Sequence, residues 1–582
     1  MDSKHVTEST SGQEDIQKTW WKEAIIYQIY PRSFQDSDGD GIGDLNGITS
    51  RLDYIQSLGV DIIWLNPIFL SPNDDNGYDI SDYREIMREF GTMEDFDRLL
   101  KEIHKREMRL VLDLVVNHTS DEHPWFEEAR KSRHNPYYNY YHWWPAEKGE
   151  PPLRLSYFDE EGNAWMYNKS TDSYYLHYFS RKQPDLNWEN PEVRQEIFDM
   201  MRFWFDKGID GFRMDSISLI AKDPSFPLID SKKYPDIFSF YAKEPRLHLY
   251  LHEMNRQVLS KYDCMSVGEG SAVMVDDVAK FVDPAREELN MLYHFDAARI
   301  RNTTLPDNPE SGIDYSLIAL KKMFTEWDKA VDKGWPSIYL GNHDQPRMVS
   351  RFGSDKDEFR ALSAKMLITF LLTMRGTPYW FAGDEIGMRN IRFDRIEDYN
   401  DIDTINRYKK AKAEGKDPQA VLDEQKETGR DNARTPFQWD RSPETGFTAG
   451  TPWLKVNPDY TWINVADEEK DPTSILNYFK KVVSFRKENP SLIYGSYHLL
   501  DAENPQSYTF LRKTGADTYL IMLNFSPKAA ISTPGIDMSN AHVLLDNYGD
   551  RSHMAPQKDI TLRPFEAIVF QLNHPVLSLI HI

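Results

Sequence analysis

Eight short apolar runs, separated mostly by helix-length stretches, constrain this chain more than any other feature. They are EAIIYQIYPRSF (23–34), VDIIWLNPIF (60–69), RLVLDLVVNH (109–118), GIDGFRMDSI (208–217), CMSVGEG (264–270), LNMLYHFD (289–296), SIYLGNHD (337–344) and TPYWFAGDE (377–385). Near-continuous apolar runs suit parallel strands covered on both faces. Helical patterns lie between them. Ile48, Leu52, Ile55 and Leu58 recur at helical spacing before Gly59. Thr92 is placed to cap a helix whose face is Phe96, Leu99, Leu100 and Ile103. Asn190-Pro191 opens a helix that stops at Gly208. Eight such repeats predict an α/β fold, a (β/α)8 TIM barrel, with a doubly wound open sheet as the competitor.

Two interruptions break the rhythm. About 65 residues rich in Trp, Tyr and Pro follow His118, too long for a bare loop, so 119–186 reads as an inserted subdomain B after the third strand. Residues 386–436 form a second, polar excursion after the eighth. The barrel then spans 19–118 and 187–495. Near residue 500 the pattern changes to period two: Tyr508 and Phe510, then Tyr519 and Ile521, flank the turn KTGAD. This predicts a C-terminal antiparallel β domain over 500–575.

Composition excludes several classes of function. Lys+Arg is 69 against 93 Asp+Glu, a net charge of −24, which disfavours nucleic acid and anionic membranes as partners. One cysteine, Cys264, excludes an internal disulfide. No run is long and apolar enough to span a bilayer. Residues 1–18 are polar, read as a disordered tail, and lack an apolar signal core, so a cytoplasmic location is expected; an export signal removed upstream would leave the same start. The ending HPVLSLIHI is apolar and carries no assigned function.

In a TIM barrel, chemistry sits at the C-terminal strand ends. Asp113, Asn117 and His118 end the third run, Arg213 and Asp215 the fourth, Glu269 the fifth, and His343 and Asp344 the seventh. A single such acid is most economically a structural ion pair; a set from four strands is not. Crowded carboxylates raise the pKa of one member, and a nucleophile paired with a protonated acid is the machinery of retaining glycoside hydrolysis. Arg213 and Asp215 are two residues apart and share a strand face, so Arg213 can hold Asp215 ionised. Separately, Asp36, Asp38, Asp40 and Asp44 occupy positions 1, 3, 5 and 9 of a loop with Gly41 at 6 and the carbonyl of Ile42 at 7. That is ligand spacing for a hard cation. Position 12 is Gly47, so the EF-hand pattern is incomplete, and an Asp/Gly-rich turn is the alternative.

The motifs DLVVNH (113–118), GFRMD (211–215), VGEG (267–270), GNHDQPR (341–347), QPDLN (183–187), SPNDDNGYDISDY (71–83) and ARTPFQWD (433–440) together resemble the α-amylase family of glycoside hydrolases, in its oligo-1,6-glucosidase/α-glucosidase branch. The resemblance runs from about Trp21 into the C-terminal domain. It implies a retaining, exo-acting α-glucosidase on short oligosaccharides or sucrose-like glucosides, with transglycosylation as a side reaction. Asp215 would be the nucleophile, Glu269 the acid and base, and Asp344 the stabiliser of the transition state. His118 and His343 would donate to glucose hydroxyls. Asp75 and Arg430 would grip the non-reducing glucose and close the pocket, Tyr78 would offer a stacking face, and Phe179 and Gln183 would line the site. Arg434 is the weaker arginine candidate. The resemblance also makes the loop cation a structural calcium, with magnesium as the alternative. A monomer or weak homo-oligomer is expected.

Two alternatives stay open. A sucrose isomerase or glucosyltransferase would use the same pocket, but the RLDRD-type motif of the isomerases is absent, the stretch here reading IRNTTLPDNPESGID (300–314). A non-catalytic, transporter-associated relative would need a membrane anchor and tolerates loss of the acids, all three of which are present. Linkage rests on Ser216. In the resembling branch Val after the nucleophile goes with α-1,6 bonds, and Ala or Thr with α-1,4. The small polar Ser fits neither and points to α-1,4 or broad specificity.

Overall fold

The computed structural model describes residues 18–158, 162–234, 236–515, 517–551 and 558–572. The expected N-terminal tail, up to residue 17, and the ending HPVLSLIHI lie outside the described residues.

The eight runs form eight parallel strands: β1 (Ile26–Ile29), β2 (Ile62–Leu65), β3 (Arg109–Val115), β4 (Gly211–Asp215), β5 (Met265–Glu269), β6 (Met291–Tyr293), β7 (Ser337–Ile338) and β8 (Thr377–Phe381). Their order in the sheet is β6-β5-β4-β3-β2-β1-β8-β7. The doubly wound alternative fails at one pairing: β8 lies against β1, Ile26 opposite Tyr379, which curls the sheet into a barrel. The β6–β7 seam has no backbone ladder. Side chains bridge it instead: Ser337 Oγ donates to Leu292 O at 2.9 Å and Tyr339 OH to His294 O at 2.6 Å.

Period-two alternation sorts each strand's side chains. Ile26, Ile62, Trp64, Val111, Met265, Val267, Met291 and Tyr379 fill the barrel interior. Tyr27, Ile63, Leu65, Leu110 and Leu112 face the surrounding helices in a second, larger core. The helix Met93–Lys105 opens with a reciprocal capping box, Thr92 and Asp95 each accepting the other's backbone N–H, and buries Phe96, Leu99, Leu100 and Ile103. The helix Pro191–Lys207 is capped by Asn190 and ends at Gly208, whose φ of 107° a side chain would resist. The single helix expected around Ile48–Leu58 is two, Leu45–Ser50 and Leu52–Ser57. The break falls at Arg51, which leaves helical geometry to stack on Trp439 and bond Gln35 Oε1 at 2.7 Å.

Between β3 and the helix Pro191–Lys207 lie a short helix, Pro124–Ala129, and a three-stranded antiparallel sheet of Trp143–Pro145, Ser173–Leu176 and Trp165–Asn168. Its exit is tied to the top of β3 by a bridge between His118 and Asp185. After β8, the helices Ile402–Ala413 and Pro418–Thr428 cover the same barrel end. A five-stranded antiparallel sheet follows, in the order β9 (Ser496–Leu500), β10 (Ser507–Thr514), β11 (Asp517–Asn524), β13 (Ala567–Leu572), β12 (Ala541–Asp546). Buried Arg512 of β10 donates to the carbonyls of Thr373, Leu492, Ile493 and Gly495 and so docks this sheet on the helix that precedes β8.

Candidate active site

Followed towards the C-terminal end, the inward positions change from apolar to charged. Val111 gives way to Asp113 on β3, and Val267 to Glu269 on β5, while β4 offers Arg213 and then Asp215. Parallel register sets Asp113 beside Arg213, Arg213 beside Val267, and Glu269 beside Tyr293. Arg213 is fully buried beneath this ring. Its Nη1 donates to Asp113 Oδ1 at 2.6 Å and to Asp215 Oδ1 at 2.7 Å; its Nη2 donates to Glu269 Oε2 at 2.6 Å and to the Tyr293 hydroxyl. Burial alone would push the guanidinium down, but Asp113, Tyr293 and Glu269 around it outweigh that and hold it charged.

Asp215 and Glu269 thus stand side by side on the two Nη atoms of one guanidinium. Burial pushes both carboxyls up, and Arg213 pulls both back. Glu269, facing Asp215 and Asp344, reaches about 8, whereas Asp215 stays near 6. Of the two, Glu269 is therefore the one that favours holding a proton. Ser216, with φ at 43°, turns its N–H onto Glu269 Oε2 at 3.0 Å. A left-handed residue next to a carboxylate pair is the kind of strain that persists where the surroundings enforce it.

Asp344 sits across the pocket and behaves in the opposite way. Burial pushes it up, but the facing Nε2–H of His343 and the cations Arg430, Arg434 and Arg213 outweigh burial and hold it well below the usual carboxylate range. Arg430 and Arg434 reach its Oδ1 at 3.3 and 3.2 Å. His343 is kept neutral by burial. Gln28 Nε2 donates to its Nδ1 at 2.8 Å, leaving Nε2–H to face Asp344 at 3.2 Å. Tyr78 stacks on His343 at 5.2 Å and donates to Asp113 Oδ2 at 3.0 Å. His118, also neutral, directs Nε2 to Tyr78 O at 3.0 Å.

These groups line one pocket of about 280 Å³, near the lower end of the roughly 300–1,000 Å³ usual for small-molecule sites. Asp75, Tyr78, His118, Phe179, Asp215, Ser216, Glu269, His343, Asp344 and Arg430 are on its wall. Arg213 and Gln183 are not. Arg213 lies below the carboxylates, and Gln183 is buried behind Asp75, to which it donates at 3.2 Å. One end is closed by an ion pair, Arg430 to Asp75 at 3.3 Å, and Arg430 is itself anchored on Asp401 at 2.5 Å. Sequence reasoning did not single out Asp401, nor Tyr157, Phe158, Ser271, Ala272, Phe295 and Arg299, which complete the wall. Ser271, Ala272, Phe295 and Arg299 stand a few residues past β5 and β6, a position that could have flagged them.

In the aspartate-rich loop, carboxylate oxygens of Asp36, Asp38 and Asp40 lie within 4.8 Å of one another. Asp44 does not join them. It accepts from the N–H groups of Ser37 and Gly47, both at 2.7 Å, and caps the helix Leu45–Ser50.

Residues 28–495 match the model of the alpha-amylase catalytic domain. The chain is 51% identical to the oligo-1,6-glucosidase of Parageobacillus thermoglucosidasius and 49% identical to that of Bacillus cereus; each alignment covers 96% of this chain and all of the relative. Isomaltulose synthase SmuA from Protaminobacter rubrum superimposes with a TM-score of 0.90 at 43% identity, over 96% of this chain and all of its own. Among the described residues no helix is long and apolar enough to cross a membrane. A matched catalytic domain, enzymes aligned end to end and a pocket walled by four acids agree: the chain belongs to the α-amylase family and is a glycoside hydrolase.

Proposed function

We propose that this enzyme is a retaining, exo-acting α-glucosidase that removes terminal α-linked glucose from short oligosaccharides. The observation that carries the reading is the shared guanidinium. Asp215 and Glu269 accept from the two Nη atoms of one Arg213, which favours the close carboxyl spacing of a retaining pair over the wider one that inversion needs. Asp215 Oδ attacks the anomeric carbon while Glu269 protonates the leaving oxygen, and the glycosidic C–O bond breaks. Glu269 then takes a proton from water, whose oxygen displaces Asp215 and releases α-glucose. A sugar hydroxyl in place of water gives transfer. Asp344, kept ionised, stabilises the oxocarbenium-like charge. The Asp75–Arg430 pair closes one end and supports an exo mode. His118, His343 and Tyr78 contact the glucose; Gln183 and Arg213 orient the residues that do.

The relatives' names favour α-1,6 bonds over the α-1,4 preference that Ser216 suggests. The sucrose isomerase reading has the solved structures on its side. Against it stands the pocket-mouth helix Asp296–Thr303, which reads DAARIRNT and lacks RLDRD. A cytoplasmic location belongs to the same reading, supported by the single cysteine, and so does a monomer or weak homo-oligomer. We further propose that Asp36, Asp38 and Asp40, with the Ile42 carbonyl, hold a structural calcium ion, or magnesium in its place. The converging oxygens support it; Asp44 braces the loop from outside.

The reading is tested by incubation with isomaltose, maltose, sucrose and starch, following products by NMR. Release of α-glucose first is expected, with starch barely touched; initial β-glucose would refute retention. Asp215→Asn should cost about 10⁴-fold or more in kcat, in line with losses seen on removing a covalent nucleophile, with an unchanged circular dichroism spectrum. The kcat/KM profile is expected to be a bell: Asp215 must be ionised, so activity falls as pH drops through about 6, and Glu269 must be protonated, so it falls as pH rises through about 8. For linkage, Ser216→Val should raise the isomaltose to maltose ratio of kcat/KM. Val is strained at this positive φ, so only the ratio is diagnostic, and an unchanged ratio removes Ser216 from specificity. Excess chelator should lower the melting temperature and added calcium restore it; a midpoint indifferent to both would dispose of the metal.

A further inference from the structure

We propose that Arg351 is a positioning residue that ties the leaving-group wall of the pocket to the loop carrying Asp344. The inference rests on the α-glucosidase reading above. Arg351 lies in the short helix Met348–Phe352, and its side chain is buried. Its Nη2 donates to Ala298 O at 3.0 Å and its Nη1 to Gln345 Oε1. Ala298 precedes Arg299, on the pocket wall; Gln345 follows Asp344. The tie is doubled, because Arg301 Nε donates back to Arg351 O at 2.7 Å.

Arg351 has no carboxylate partner among the described residues, and its Nε is buried without a hydrogen bond. An unpaired buried cation is costly, and an apolar side chain of similar volume would serve packing as well or better. What the guanidinium supplies, and an apolar chain cannot, is a two-pronged link between two segments. The link is needed where it stands. The mouth helix Asp296–Thr303 follows β6, at the β6–β7 seam, the strand junction without a backbone ladder. Tyr339 holds the start of this segment through His294 O, and Arg351 holds its middle. Glu269, the proton donor to the leaving group, is paired in register with Tyr293, two residues before Phe295. Phe295 and Arg299 therefore border the departing or accepting sugar, and Arg351 sets their distance from Asp344.

The test compares isomaltose with 4-nitrophenyl α-glucoside, whose leaving group departs without sugar contacts. Arg351→Met is expected to lower kcat/KM for isomaltose about tenfold, mainly through KM, and for the aryl glucoside by less than about threefold, the scale of a sub-ångström misplacement. The ratio of transfer products to free glucose should fall with it. Arg351→Lys keeps one prong and should recover part of the loss. In an Arg299→Ala background, Arg351→Met should add little, since it acts through that wall. Equal losses on both substrates, or an undiminished effect in the Arg299→Ala background, would overturn the proposal. If Arg351→Met does not fold, Tyr339→Phe cuts the neighbouring tie, must shift the substrate ratio in the same direction, and overturns the proposal if it leaves the ratio unchanged. A wild-type enzyme inactive on the aryl glucoside would instead refute the α-glucosidase reading itself.

Discussion

Everything at the top of this barrel is organised around one buried cation. Arg213 meets Asp113, Asp215 and Glu269 within 2.7 Å. Three ionised carboxylates around one guanidinium would leave two negative charges uncompensated out of water, which is prohibitively expensive. The cluster relieves this by keeping a proton, and the environment decides where. Glu269 is hemmed in by Asp215 and Asp344 and so holds it. The unequal proton affinities that the proposed mechanism needs thus follow from charge balance.

The barrel makes that cluster possible by separating two tasks along each strand. Low inward positions are apolar and interlock in the interior; high inward positions are polar and face the pocket. The outward positions meet the helices and take no part in the chemistry. Stability and reactivity therefore occupy opposite ends of the same strands, as the fold permits. Charge at the top can be dense because the layers beneath it are already packed and rigid.

The pocket becomes a dead end only through segments that are not barrel strands. Phe179 arrives from the inserted subdomain and Arg430 from the excursion after β8. Asn406 of that excursion donates to Phe158 O at 2.7 Å, joining the two insertions across the roof. Arg430 stacks on Phe158 while paired with Asp75. Closure thus depends on three chain segments widely separated in sequence meeting at one arginine.

The strand count, the helix caps at Thr92 and Asn190, and the acids at strand ends were legible in the sequence. Each depends on short-range periodicity or on local hydrogen bonding, which residues a few positions apart determine by themselves. The Asp36–Asp40 convergence was legible too, for the same reason; that Asp44 would leave it to cap a helix was not. The break at Arg51 was hidden because its cause, Trp439, is nearly 400 residues away. Likewise Asp401 carries no local signature, and its place behind the pocket wall exists only once the excursion after β8 is assembled; Phe295 and Arg299 follow a strand end, but that they face the pocket is settled only when β5 and β6 are side by side. Local chemistry wrote the parts into the chain; which parts face one another across the pocket was decided by barrel closure, because contacts between distant segments depend on register and packing that no short stretch of sequence contains.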